Sequence, residues 1–419
     1  MKARFPQVMS FVRCDASVQE TTSIPQPGPG HLRLYNICAL AVVLCLGYLD
    51  VPSYVYALNE AFLPKYFFYA FFIAVTPLLV LRSRSLSSYL FSPFSLWAFA
   101  LIVLNLAHLL DALIDGDQSR VSLIGTRIQY AVLVVLLGFA CSTTRPASFE
   151  RIFPFLAVMI PALVIWDFLS PGVLYPIGTD GSTLGRAAAT FINPTRAGEA
   201  MLLTFVLAIP VLRPHYRAAL LLLLGAGVIV TFSRAAIVGW MLLWAFLLVR
   251  KVVPKYTLAL PLVALGVLPL LLGSFENYLS GREDLAEGLA NIQARLEFFQ
   301  DQVLDDDSAL ARAQGLDAGV ELFRQNPIFG AGAGATSLWS LGAGTHNLPV
   351  MLGAEYGVIG IAVWVWLVVI LWRGSHFRDR RLQVAMVAWF VFVSMFTHNP
   401  FDSLYWLLTF AIVAAQRRA

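Results

Sequence analysis

Charge is what this sequence has least of: only 13% of its 419 residues are Asp, Glu, Lys or Arg. A soluble globular chain carries about 25%. With 58% hydrophobic residues, most of this chain belongs in lipid. Its net charge of +4 is slight, leaves no footprint for a nucleic-acid partner, and reads instead as a bias between loops. Cysteine is scarce too. Cys14, Cys38, Cys45 and Cys141 all fall outside the longest polar segment, so no disulfide staples it. No HExxH, CxxC, Walker or Ser-His-Asp arrangement occurs, which removes the usual sequence signs of zinc, redox, nucleotide or serine chemistry. Residues 1–33 lack an apolar core followed by a small-residue cleavage site, so they read as a cytoplasmic tail and not a signal peptide.

What the chain does have is apolar runs bounded by charge. They predict spans at 34–50, 62–81, 93–113, 121–141, 152–170, 195–212, 217–233, 235–250, 256–274, 347–372, 383–399 and 402–416. A crossing helix needs ~20 residues, with ~17 as a lower limit, so several of these are short. The expectation is an all-α integral membrane protein with about 12 transmembrane helices. Every short loop on one side is basic, which places both termini in the cytoplasm. The chain then divides into a tail (1–33), spans one to nine (34–274) with an outer loop at 171–194, a long outer loop (275–346), and the last three spans (347–419). Within the long loop, Leu285, Leu289, Ile292, Leu296, Phe299 and Val303 share one helical face. Asp305-Asp306-Asp307-Ser308 opens a second helix that ends near Asn326-Pro327. These two helices either roof a cavity or merely pack on each other. The acidic run is either a solvated cap or a metal site for a pyrophosphate, and three acids before a helix favour the cap.

Several cations lie outside the basic loops. Arg234, in Thr231-Phe232-Ser233-Arg234, sits near the centre of the apolar hairpin between Arg217 and Arg250. Arg217 to Arg234 spans about 25 Å of helix against a hydrocarbon core of ~30 Å, so this guanidinium is recessed. It is either functional or paired with Glu199. Arg186 and Arg196 flank Phe191-Ile192-Asn193-Pro194, where a helix N-terminus begins, and a helix N-terminus beside arginines is an anion site. Arg196 is alternatively a solvated first-turn residue. Arg312 lies on the second loop helix, on the side of Leu316, Gly319 and Phe323. His346, in Thr345-His346-Asn347, follows a glycine-rich stretch and precedes an apolar run, so a group able to accept a proton stands at the membrane boundary. Thr397-His398-Asn399 repeats the triplet at another outer helix end, to share the site or to cap.

Four segments together resemble the bacterial O-antigen ligase family and the related O-antigen polymerases. His346-Asn347, with Gly357 in EYGVIG, is similar to the family's histidine motif. Thr231 to Arg234 resembles its Thr-Ser-Arg segment, and Arg186 through FINP its Asn-Pro segment. Arg312 followed by NPIFGAGAG resembles its arginine helix and glycine run. Arg196 departs from the pattern, since many relatives carry a neutral or polar residue there. The resemblance implies a GT-C-type fold with a long helical periplasmic loop between spans 9 and 10. It implies an inner-membrane glycosyltransferase with its active site facing the periplasm. The donor would be a glycan on undecaprenyl pyrophosphate and the acceptor a sugar hydroxyl of lipid A-core, with surrounding membrane lipids and no nucleic acid. His346 would act as base. Arg234, Arg186, Arg312 and Arg196 would hold the pyrophosphate, supported by Asn193, Asn347 and His398, with neither metal nor cofactor. One dominant outer loop favours a ligase over a polymerase or another lipid-linked oligosaccharide transferase. A transporter or flippase would show repeats with broken helices in both halves, which the sequence lacks.

Overall fold

The computed structural model describes residues 30–81, 83–144, 146–170, 172–174, 186–258, 307–341, 344–374, 377 and 379–415. Among these the regular structure is entirely helical. The helices are α1 (Gly30–Tyr48), α2 (Val51–Leu58), α3 (Pro64–Leu81), α4 (Ser83–Leu90), α5 (Pro93–Ile114), α6 (Gln118–Thr143), α7 (Pro146–Phe149), α8 (Ile152–Leu169), α9 (Pro194–Ala208), α10 (Pro214–Val230), α11 (Arg234–Val249), α12 (Asp307–Gln325), α13 (Leu348–Arg373), α14 (Arg380–Ser394) and α15 (Leu404–Ala415). Eleven of the twelve expected spans thus have a helix at or near their place. The tail through residue 29, the centre of the 171–194 loop with Gly185, the ninth span beyond residue 258 and the helix expected at 285–303 lie outside the described residues.

By length and composition α5, α6, α8 and α13 can cross a bilayer, and α1 with α2, bent by 57°, makes a fifth candidate. The chain is therefore a multi-pass membrane protein. The other apolar runs form helices of 18, 15, 17, 16, 15 and 12 residues. Among the described residues several of these helices are shorter than a full crossing, and the backbone turns within apolar sequence at Asn193-Pro194 and between Thr231 and Ser233. Turns at that depth survive only where protein, not lipid, satisfies the freed backbone groups.

Caps start the long helices as their sequences require. Ser92 accepts from the Ser95 amide before Pro93, and Asp117 accepts from the Ser119 and Arg120 amides. α5 packs along α6, and α15 closes against α6 from the other side. Between them Trp97 meets Phe401 and Phe410 edge-on, and its indole N–H reaches the Val363 carbonyl at 3.0 Å. Leucine and valine side chains such as Val103, Leu110 and Leu113 on α5 stay exposed, as a lipid-facing helix surface demands.

α13 is broken. Gly357 has φ 65° and ψ −154°, and the strap at 327–332 runs into the break. There the Val358 amide donates to Pro327 O at 2.8 Å, Ala331 N to Ala354 O at 2.7 Å and Gly332 N to Glu355 O at 3.1 Å. The glycine run is thus a backbone lock on the helix that carries the histidine motif. A Cβ at Gly357 would meet the Ile328 carbonyl oxygen at 2.2 Å. We expect Gly357→Ala to lower the thermal midpoint sharply in detergent. Gly125→Ala on α6, where a Cβ meets nothing within 4 Å, should instead be neutral or gain about 0.4–1 kcal/mol.

Candidate functional site

Three helices begin at one cavity. Asn193 caps α9 by accepting from Thr195 N at 2.8 Å, and Ser233 caps α11 by accepting from Ala236 N at 3.5 Å. Asn347 caps α13, accepting from Val350 N at 3.0 Å. The residue before each cap is left-handed without being glycine: Ile192 at φ 62°, Phe232 at φ 48° and His346 at φ 47°. Such backbone costs on the order of 1–3 kcal/mol per residue and gathers at functional sites. Here it turns three N-termini, each worth roughly half a positive charge, toward the same space.

That space is a cavity of about 470 Å³, lined by all four expected arginines, Arg186, Arg196, Arg234 and Arg312, and by His346, Asn193 and Asn347. Val238, Leu316, Phe392, Met395 and Phe396 make its apolar part. Local packing explains the convergence. A Cβ on Gly198 would lie 2.3 Å from that of Ala236, so α9 and α11 approach closely just beyond Arg196 and Arg234. Arg186 donates to the Thr231 carbonyl at 3.2 Å, which ties the re-entering loop to the turn before Arg234. Asp167 accepts from the Ala188 and Ala189 amides at 3.0 and 2.9 Å and fixes the same loop from α8. The second loop helix, α12, brings Arg312, Ala313 and Leu316 to the cavity wall, as a roof would.

Arg196 is not a solvated first-turn residue. It lines the cavity half-buried and makes no hydrogen bond or ion pair among the described residues. Glu199, weighed as a partner for Arg234, is held elsewhere: the Tyr405 hydroxyl and the Trp406 indole donate to its Oε2 at 2.9 and 3.0 Å. Asn193 and Asn347 spend their carbonyl oxygens on capping. Arg324, at the C-terminal end of α12, is exposed beside Glu321. His398 stands edge-on to His346, ring centres 5.2 Å apart, and does not act as a cap. Burial, and then the Arg312 charge, push the His346 imidazole below its usual 6.5. Burial, followed by the neighbouring His346, pushes His398 down to about 4. Both rings are therefore neutral at pH 7, and His346 is free to accept a proton. Among the described residues no cluster of three or more His, Cys, Asp or Glu could hold a metal ion. Asp305 and Asp306 lie outside those residues.

Residues 219–365 match the family model described as O-antigen ligase. Over that stretch the chain is similar to the O-antigen ligase family. That stretch includes Arg234, Arg312 and His346, whereas Arg186, Arg196 and His398 lie on either side of it. No curated protein matches the chain significantly.

One ionic group escaped the sequence reading. Arg127 on α6 pairs with the fully buried Glu355 on α13 and donates to the Tyr356 hydroxyl at 3.1 Å. Its Nε is 3.9 Å from Asp402. Thr336 from the glycine strap donates to Glu355 Oε1 at 2.7 Å, and the Tyr356 hydroxyl donates to Asn105 at 2.9 Å. The signal was available, since Arg127 and Glu355 are the lone charges of two expected spans. The network anchors α13 nine residues after His346 and the loop four residues after His398. Arg127→Ala would strand a buried carboxylate, a loss of roughly 3–5 kcal/mol. We expect a large fall in thermal midpoint for that variant. The Arg127→Met/Glu355→Met double substitution should recover most of it, because the charge and its partner leave together.

Proposed function

We propose that the protein transfers a glycan from undecaprenyl pyrophosphate to a sugar hydroxyl of lipid A-core. The reading places a GT-C-type enzyme in the inner membrane, with both termini cytoplasmic and its site open to the periplasm. The observation that carries it is the company kept by His346: a neutral imidazole in one cavity with four arginines and three helix N-termini. The acceptor hydroxyl oxygen attacks the anomeric carbon as the bond from that carbon to the pyrophosphate oxygen breaks. The hydroxyl proton passes to His346, and the electron pair leaves on the pyrophosphate. Negative charge grows there, and guanidiniums already in place stabilise it without reorganising. A single displacement inverts the anomeric centre. The departing lipid pyrophosphate is activated beforehand, so the step requires no nucleotide.

The family description, O-antigen ligase, supports transfer to an acceptor lipid. An assay of purified protein with the lipid-linked glycan, in EDTA, should yield joined product when lipid A-core is added. Chain growth without that acceptor would point to a polymerase, and substrate flux in vesicles without product to a transporter.

His346→Ala should reduce turnover by about 10²–10⁴-fold while donor binding stays largely intact. Lost donor binding would make the histidine a ligand instead. Because the His346 pKa lies below 6.5, kcat should hold as pH drops to that value and fall only below it, where protonation removes the base. An acid limb centred above 6.5 would contradict the assignment.

Arg234→Lys should also fail, because an ammonium cannot make the planar two-point contact with a phosphate. Near-normal kcat/KM in that variant would refute the contact.

A further inference from the structure

Glu199 is the one carboxylate in the cavity wall among the described residues, one helical turn after Arg196 and 5% exposed. Its two oxygens are used unequally. Oε2 takes both the Tyr405 hydroxyl and the Trp406 indole. Oε1 has no hydrogen-bond partner among the described residues, and it is not one of the polar atoms sealed from solvent without a partner. It therefore opens on the cavity. A carboxyl oxygen that carries no proton accepts hydrogen bonds, and a desolvated one is costly to leave unsatisfied.

We propose that Glu199 reads the glycan: Oε1 accepts a hydrogen bond from an O–H or amide N–H of the sugar next to the pyrophosphate. This rests on the reading of the cavity as a lipid-pyrophosphate site. Such a donor has three parts. The isoprenoid tail has nothing to donate, and the pyrophosphate diester offers only acceptor oxygens. Only the sugar carries the groups that Oε1 lacks. Tyr405 and Trp406 hold the carboxylate from behind, so its free oxygen has a fixed aim. A buried acceptor of this kind rejects a ligand that leaves it unpaired.

The test measures binding of two lipids, undecaprenyl pyrophosphate with and without its glycan, to the purified full chain. In Glu199→Gln the amide carbonyl can still accept from Tyr405 and Trp406, but an NH2 then faces the cavity. The glycan-bearing lipid should bind about tenfold more weakly or worse, and the bare lipid unchanged. Glu199→Asp, which keeps the carboxyl group and withdraws the oxygen, should likewise weaken only the glycan-bearing lipid, and it carries the test if the glutamine variant does not fold. An equal change for both lipids would mean that Glu199 merely tunes its arginine neighbours, overturning the proposal. Wild-type protein that binds the bare lipid and gains nothing from the glycan overturns it as well, with the anion site left standing. Wild-type protein that binds neither lipid overturns the cavity reading itself.

Discussion

Three helix starts forced into one cavity are the constraint on which the rest of this structure depends. Each is reached through a residue in the left-handed region that is neither glycine nor asparagine, and one of them is β-branched. Nothing local favours that backbone. It persists because close packing of α9 on α11 at Gly198, the Asp167 clamp on the 188–189 amides and the strap locked into α13 leave no alternative. The result is a concentration of positive potential, part dipole and part guanidinium, beside a single wall carboxylate. Such a pocket is built for an anion.

The interior ion network does a different job from the cavity. Arg127 touches Glu355 and lies near Asp402, so one side chain on α6 restrains the segments that follow both His346 and His398. The glycine strap adds a second restraint on the same helix through Thr336 and three backbone hydrogen bonds. Ionic groups this deep rarely increase stability over an apolar replacement, but they define register sharply, because any slip leaves a charge unpaired. In the proposed transfer, a base that must meet a hydroxyl within hydrogen-bond reach would benefit from that definition.

Placing an imidazole among arginines also settles its charge. Burial and the Arg312 field both oppose protonation, so the ring rests in the form that takes a proton. In the proposed transfer, the same Arg312 charge would also face the leaving pyrophosphate.

The sequence by itself determined the helical, lipid-embedded class and the near-correct placement of the helices, and it singled out the arginines and the histidine that meet at the cavity. These follow from local signals: apolar run length, capping residues such as Asn193 and Asn347, and charges set where lipid makes them expensive. It also marked the recessed turns at Asn193-Pro194 and Thr231 to Arg234. Only the tertiary structure decided that these turns face one another, that Glu199 belongs to Tyr405 and Trp406 and not to Arg234, and that the glycine run locks a helix break. It alone matched Arg127 with Glu355, 228 residues away. Those are pairings between distant segments, and a chain's local pattern shows that a buried charge or a glycine needs a partner without saying which one packing will supply.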